Sequence, residues 1–156
     1  MDNEIKTTAE LLEGGAQKPK AAVVHADPDA DSVEQHPLPD SLAKKPIEQK
    51  SPAEWAYQRL ILYIQNFEKT LDAEEEVAMG FTDTGAGVLR IEGIGYFDPD
   101  IVTFYGTDQT GARLQLVQHV SQLNVILRSM PKATAAAEPR RIGFRLVEAL
   151  EKEATS

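Results

Sequence analysis

Val88-Leu89-Arg90-Ile91-Glu92-Gly93-Ile94-Gly95 reads as a strand that cannot stay flat. Leu89 and Ile91 alternate with Arg90 and Glu92, the period of a half-buried strand. Gly93 and Gly95 then interrupt the pattern. Glycine inside a strand marks a bulge, a sharp bend or a close approach of another backbone. The turn Phe97-Asp98-Pro99-Asp100 follows at once. A strand bent in its middle and turned back at its end belongs to a small, curled antiparallel sheet.

The flanking sequence supplies the rest of that sheet. Val77 to Phe81 reads as a strand, and Thr82 to Gly87 is turn chemistry. Ile101 to Tyr105 is β-branched and aromatic, hence strand. Gly106 to Gly111 turns the chain again. Arg113 to Gln122 reads as a long strand, with Leu114, Leu116 and Val120 spaced by two, and Asn124 to Leu127 as a short final one. Connections this short favour a meander of sequential neighbours.

A helix stands at each end. Ser51-Pro52-Ala53-Glu54 is a helix start: Ser51 as N-cap, Pro52 at the first helical position, and Glu54 placed to reach back to Ser51. Trp55, Leu60, Ile61, Ile64, Phe67 and Leu71 then keep helical spacing, and the helix is expected to end near Leu71-Asp72. Tyr57, Leu62 and Tyr63 widen the apolar face beyond one stripe, which hints at an oligomer contact. The last helix is expected from Glu138-Pro139, with Ile142, Leu146, Ala149 and Leu150 on one face. Gly143 costs this helix about 1 kcal/mol relative to alanine, a cost that close packing against the sheet would explain. The fold class is therefore α+β: an N-terminal helix, a strongly bent antiparallel sheet of about five strands with the look of a small open barrel, and a C-terminal helix.

Residues 51–153 form the expected domain, and residues 1–50 an acidic, disordered leader punctuated by Pro37, Pro39 and Pro46. Thr7 to Glu13 has the spacing of one or two helical turns, with Thr7 and Glu10 in capping-box register and Gly14-Gly15 as the stop. It reads as a docking motif or as a fluctuating turn. His25, Asp27, Asp29, Asp31 and Glu34 begin like a calcium loop, but the sixth position is Ser32 instead of glycine and the twelfth is Leu38 instead of glutamate. No metal or cofactor is expected.

The chain carries a net charge of −9, divided between leader and domain, so neither half offers the positive surface that grips a nucleic-acid backbone. There is no cysteine, which excludes disulfides, thiolate metal sites and cysteine nucleophiles. No apolar run approaches a membrane span, and the acidic start lacks the form of a signal peptide; the expectation is a cytoplasmic protein. Nucleophile-elbow, P-loop and zincin motifs are missing.

The residues left as candidate contacts are His119, Gln118, Asp98, Asp100, Arg140 and Arg141. His119 is the domain's only histidine. Asp98 and Asp100 flank Pro99. Arg140 and Arg141 oppose the dipole at the start of a helix, which implies an anion or acidic partner nearby. None forms a catalytic signature. The expectation is a self-associating module that binds an unknown protein, with an RNA binder and a small enzyme using Asp98, Asp100 and His119 as alternatives.

Two resemblances extend this reading. Gly95-Tyr96-Phe97-Asp98 and Val117-Gln118-His119-Val120-Ser121 resemble segments of the Sm-like RNA chaperone family of Hfq, which has glutamine's place filled by lysine. That likeness implies a ring, with His119 lining a central pore and Asp98 near the same loop. Ser51 to Tyr57, Gly95 to Asp100 and Gln118 to Asn124 resemble a family of small alphaproteobacterial proteins known only as a domain of unknown function. That likeness spans nearly the whole domain and implies no activity.

Overall fold

The computed structural model describes residues 20–81 and 87–155. The Thr7–Glu13 segment and most of the Thr82–Gly87 turn lie outside the described residues. The chain runs through a short helix α1 (Asp40–Ala43), the long helix α2 (Pro52–Glu68), strands β1 (Glu75–Phe81), β2 (Val88–Phe97), β3 (Ile101–Thr107), β4 (Arg113–His119) and β5 (Val125–Pro131), and helix α3 (Ile142–Thr155). The architecture is α+β, as the sequence implies.

The sheet is antiparallel, in the order β4-β3-β2-β1-β5. β1 to β4 form the expected meander, but β5 does not follow β4. It crosses to the far edge and pairs with β1 along seven residues. β4 stops at His119, short of the expected Gln122, because the chain enters a tight turn at Val120–Gln122. The Gln122 side chain accepts the His119 backbone N–H at 2.9 Å, and Val120 donates its N–H to the Asp100 carbonyl at 2.8 Å. The first bond closes the turn and the second holds it against the residue that precedes β3; the chain then crosses to β5. β4 and β5 remain the two edges, and the sheet does not close into a barrel.

β2 bends where its glycines predict. It pairs with β1 only at Val88 and Leu89, then with β3 for the rest of its length. The register shifts between Ile91 and Gly93, leaving Glu92 as a bulge. At that point β3 comes so close that a Cβ on Gly106 would run into the Arg90 carbonyl. Arg90 bridges the gap that opens between β2 and β1: its guanidinium donates to Glu76 at 2.9 Å and to the Pro131 carbonyl at 2.7 Å.

Helix α2 starts as its sequence dictates, with Ser51 Oγ accepting the Glu54 N–H at 3.0 Å. The Glu54 carboxylate does not return to Ser51. Lys45 takes it in an ion pair at 2.8 Å. The helix closes at Glu68, earlier than expected, because Thr70 and Leu71 already bond three residues back in tight turns. Much of its apolar surface is covered within the chain. Ala53 and Ile64 join Val77, Met79, Leu89, Val102 and Phe104 in the core between helix and sheet. Tyr57 and Ile61 belong to a second cluster with Val147 and Leu150 of α3 and with Leu42. Of the three residues that hinted at an oligomer contact, Tyr57 is thereby buried, while Leu62 and Tyr63 stay on the outer side of the helix.

Leu42, ahead of Ser51, also packs against the helices. It is only 2 % exposed, and Lys50 is buried beside it, its ammonium donating to the Leu42 carbonyl at 2.8 Å and to Gln58 at 2.9 Å. Residues 42–50 are thus tied to α2 by Leu42, Lys50 and the Lys45–Glu54 ion pair, contacts with no sequence period to announce them.

α3 begins at Ile142, not at Glu138-Pro139; just before it, the Arg140 N–H is taken by the Glu76 carboxylate at 2.5 Å. Val147 replaces Ala149 on the buried face. Gly143 packs against helix α2, not the sheet: a Cβ there would meet Gln65 Cα and N at 2.8 Å. This decides the effect of Gly143→Ala. The substitution gains about 1 kcal/mol of helix propensity, but overpacking against backbone costs about 1–3 kcal/mol. Urea unfolding should show a lowered midpoint for Gly143→Ala. A raised midpoint would contradict this packing.

Candidate interaction surface

Side chains of paired antiparallel residues share a face, so the register assigns the outer surface of the β2-β3-β4 half directly. Phe97, Ile101 and His119 stand side by side. Gly95, Thr103 and Val117 form the next row, and Gly93, Tyr105 and Gln115 the one after. The opposite face carries Val102 and Phe104, which are fully buried under α2. On the outer face Phe97 is 76 % exposed, Val117 58 % and Tyr105 43 %. Gly93 lets the Tyr105 ring lie across β2: a Cβ there would already touch the ring at 3.6 Å. An apolar surface with two aromatic rings therefore stands open beside the edge strand β4.

A polar corner borders this surface. His119 Nε2 lies 3.0 Å from Asp100 Oδ2. His119 Nδ1 accepts the Ser121 backbone N–H at 3.1 Å and lies 2.8 Å from Ser121 Oγ. An acceptor at Nδ1 leaves the proton on Nε2, where it is donated to Asp100. Aspartate, histidine and serine thus stand in line, but the lone pair a base would use is already held by the Ser121 N–H. The array works as a strut, pinning the start of β3 to the end of β4 and capping the turn.

The other sequence candidates are placed elsewhere. Asp98 points away to helix α2, where it accepts the Ser51 hydroxyl at 2.5 Å, and the Pro99 carbonyl accepts the Ala53 N–H at 3.0 Å. The Asp98–Pro99 peptide is cis. Gln118 lies on the inner face, 6 % exposed, with no hydrogen-bond partner at Oε1 among the described residues. The small-enzyme alternative needed Asp98, Asp100 and His119 around one pocket; only the last two meet. Phe97, Tyr105 and Val117 were not singled out from sequence. The alternation that puts Val117 beside His119 was the signal available.

Arg140 and Arg141 sit at the far end of the molecule. Arg141 donates to the Glu75 carbonyl at 2.7 Å and to the Asp72 carbonyl at 2.8 Å. The anion implied at this helix start is Glu68, whose buried carboxylate accepts the Gly143 N–H at 3.0 Å and the Phe144 N–H at 3.3 Å. It satisfies two of the free N–H groups that every helix start presents. Among the described residues, no three histidine or acidic side chains converge as a metal site. Asp31 pairs instead with His36 at 2.5 Å, and His25 with Ser32 at 2.9 Å.

Fold and surface define an α+β domain whose inner sheet face is covered by helices and whose outer face is open over β2-β3-β4. The chain belongs to a family of unknown function (DUF6173), whose family model matches residues 45–145. No curated protein and no solved structure matches it. No helix among the described residues is long and apolar enough to cross a membrane.

Burial pushes the Glu68 carboxyl above its ordinary value, while the two backbone N–H donors and Arg141 pull it down. A pKa raised on folding contributes stability that is full below the unfolded value and is lost as pH rises through the folded one. Glu68→Gln stays neutral throughout. The wild-type chain should therefore lose stability relative to Glu68→Gln as pH climbs from the ordinary glutamate value of about 4.3 into the neutral range. Urea midpoints of both chains across that range read the difference; one that stays constant with pH contradicts the assignment.

Proposed function

We propose that this domain is a cytoplasmic, non-enzymatic, self-associating protein-binding module that works through the outer face of β2-β3-β4. The observation that carries this reading is the exposure of Phe97, Val117 and Tyr105 in three successive rows of one sheet face that ends at an edge strand. Contiguous apolar surface of this kind marks interaction sites. An edge strand adds unpaired backbone donors and acceptors, which another chain can use for strand addition. β4 has no proline, lysine or bulge to blunt it. The strut of Asp100, His119 and Ser121, with Gln115 and Arg113, would form the polar rim. Gln118 faces inward and would support the strand instead of touching the partner.

A second reading rests on the same face. Phe97, Tyr105 and His119 are three ring side chains on one sheet surface, and unpaired RNA bases stack on such rings. The acidic balance of the chain and the carboxylates Asp98 and Asp100 at this end oppose it, so protein binding ranks first.

Light scattering on the full chain over a range of concentrations tests the proposal. Wild type should exceed the 17.2 kDa protomer mass, and Phe97→Glu and Val117→Glu should return it to the protomer. A wild-type chain that stays at protomer mass throughout contradicts self-association. Filter retention of uridine-rich or adenine-rich RNA, lost in Phe97→Ala and Tyr105→Ala, would transfer the surface to nucleic acid.

A further inference from the structure

A groove of about 660 Å³ runs between residues 33–43 and the outer side of α2, away from the open half-sheet. Its floor is apolar and aromatic: Trp55, Leu62 and Tyr63 from the helix, and Leu38 from the opposite wall. Arg59 and Lys69 of α2 are exposed cations on its lining. The carboxylates of the groove are Glu34, already taken by the Tyr63 hydroxyl, and Asp40 at the start of α1. His36, also on the lining, is engaged by Asp31.

We propose that this groove is the docking site of the chain's own Thr7–Glu13 segment, with Leu11 and Leu12 set into the apolar floor and Glu10 and Glu13 facing Arg59 and Lys69. Three observations point to this occupant. Ala21, next to the first described residue, is itself part of the groove lining, so the preceding chain emerges at the groove. The connection from Gly14 to Lys20 is seven residues, a reach of about 23–25 Å when extended, which covers the groove. The segment also brings what the groove lacks: two adjacent leucines between carboxylates, in helical spacing with a capping start. Seven residues make a helix too short to persist alone in water. Docking on a tethered surface removes that difficulty, because the tether keeps the local concentration high and weak contacts suffice.

Trp55 is the only tryptophan in the chain, and it lies on the floor of the groove. Its fluorescence therefore reports occupancy without a label. In the full chain, the double substitution Leu11→Asp/Leu12→Asp should shift Trp55 emission to the red and increase quenching by acrylamide, with the circular dichroism of the fold unchanged. Lys69→Glu should move both readouts the same way. A peptide of residues 1–19, added to the double variant, should reverse the change saturably. Emission and quenching that match wild type in both variants would overturn the proposal. So would protection of Trp55 that grows with protein concentration, since the occupant would then be a second copy's segment. Neither readout depends on the outer sheet face.

Discussion

One strand has to serve two half-sheets, and the bend at Glu92 in β2 is what lets it. Before the bend, β2 pairs with β1; after it, β2 pairs with β3. The geometry needs Glu92 out of register, and it needs no side chain at Gly106, where β3 touches the Arg90 carbonyl. A larger residue at Gly106 would hold β3 off and flatten the strand. From this single bend follow the covered inner face under α2, the open outer face with Phe97 and Tyr105, and the gap that Arg90 fills with its two hydrogen bonds.

The second constraint is electrostatic. Two buried carboxylates, Glu68 and Glu76, hold the C-terminal third of the chain to the body. Glu68 takes the first N–H groups of α3, and Glu76 takes Arg90, the Ala133 N–H at 3.3 Å and the Arg140 N–H. A buried charge is tolerated only when hydrogen bonds replace its water. Both acids meet that condition with main-chain donors, so the segment after β5 is positioned by polar contacts where it has little apolar surface to bury. Gly143 then lets α3 settle closely on α2, and the second cluster of Tyr57, Ile61, Val147 and Leu150 closes over it.

Much of this was legible in sequence because the signals are local. Ser51-Pro52 fixes the start of α2 through one side-chain cap, and Gly93-Gly95 marks the bend before any partner strand is known. What escaped was long-range. Nothing in Val125 to Pro131 says that β1, and not β4, will receive it. The end of β4 depends on Gln122 reaching back to His119, a bond invisible to alternation. Leu42, Lys45 and Lys50 anchor residues 42–50 singly, without a period. Of the candidate residues, His119 and Asp100 meet each other. Asp98, Gln118 and Arg141 are committed to, or turned toward, the protein itself, and Arg140 gives Glu76 its backbone N–H while its side chain stays exposed; Phe97 and Tyr105 passed as ordinary strand and turn residues because exposure cannot be read from residue type.

The account stands on the close approach of β3 to β2 at the bend, and Gly106→Ala tests it most directly. Equilibrium urea unfolding of the full chain, with amide hydrogen exchange over residues 88–97 and 101–107, is the measurement. The added methyl should cost about 1–3 kcal/mol, as overpacking does, and should speed exchange in both strands together. An unchanged midpoint with unchanged protection would mean that the strands do not meet there, and the bent sheet would have to be abandoned.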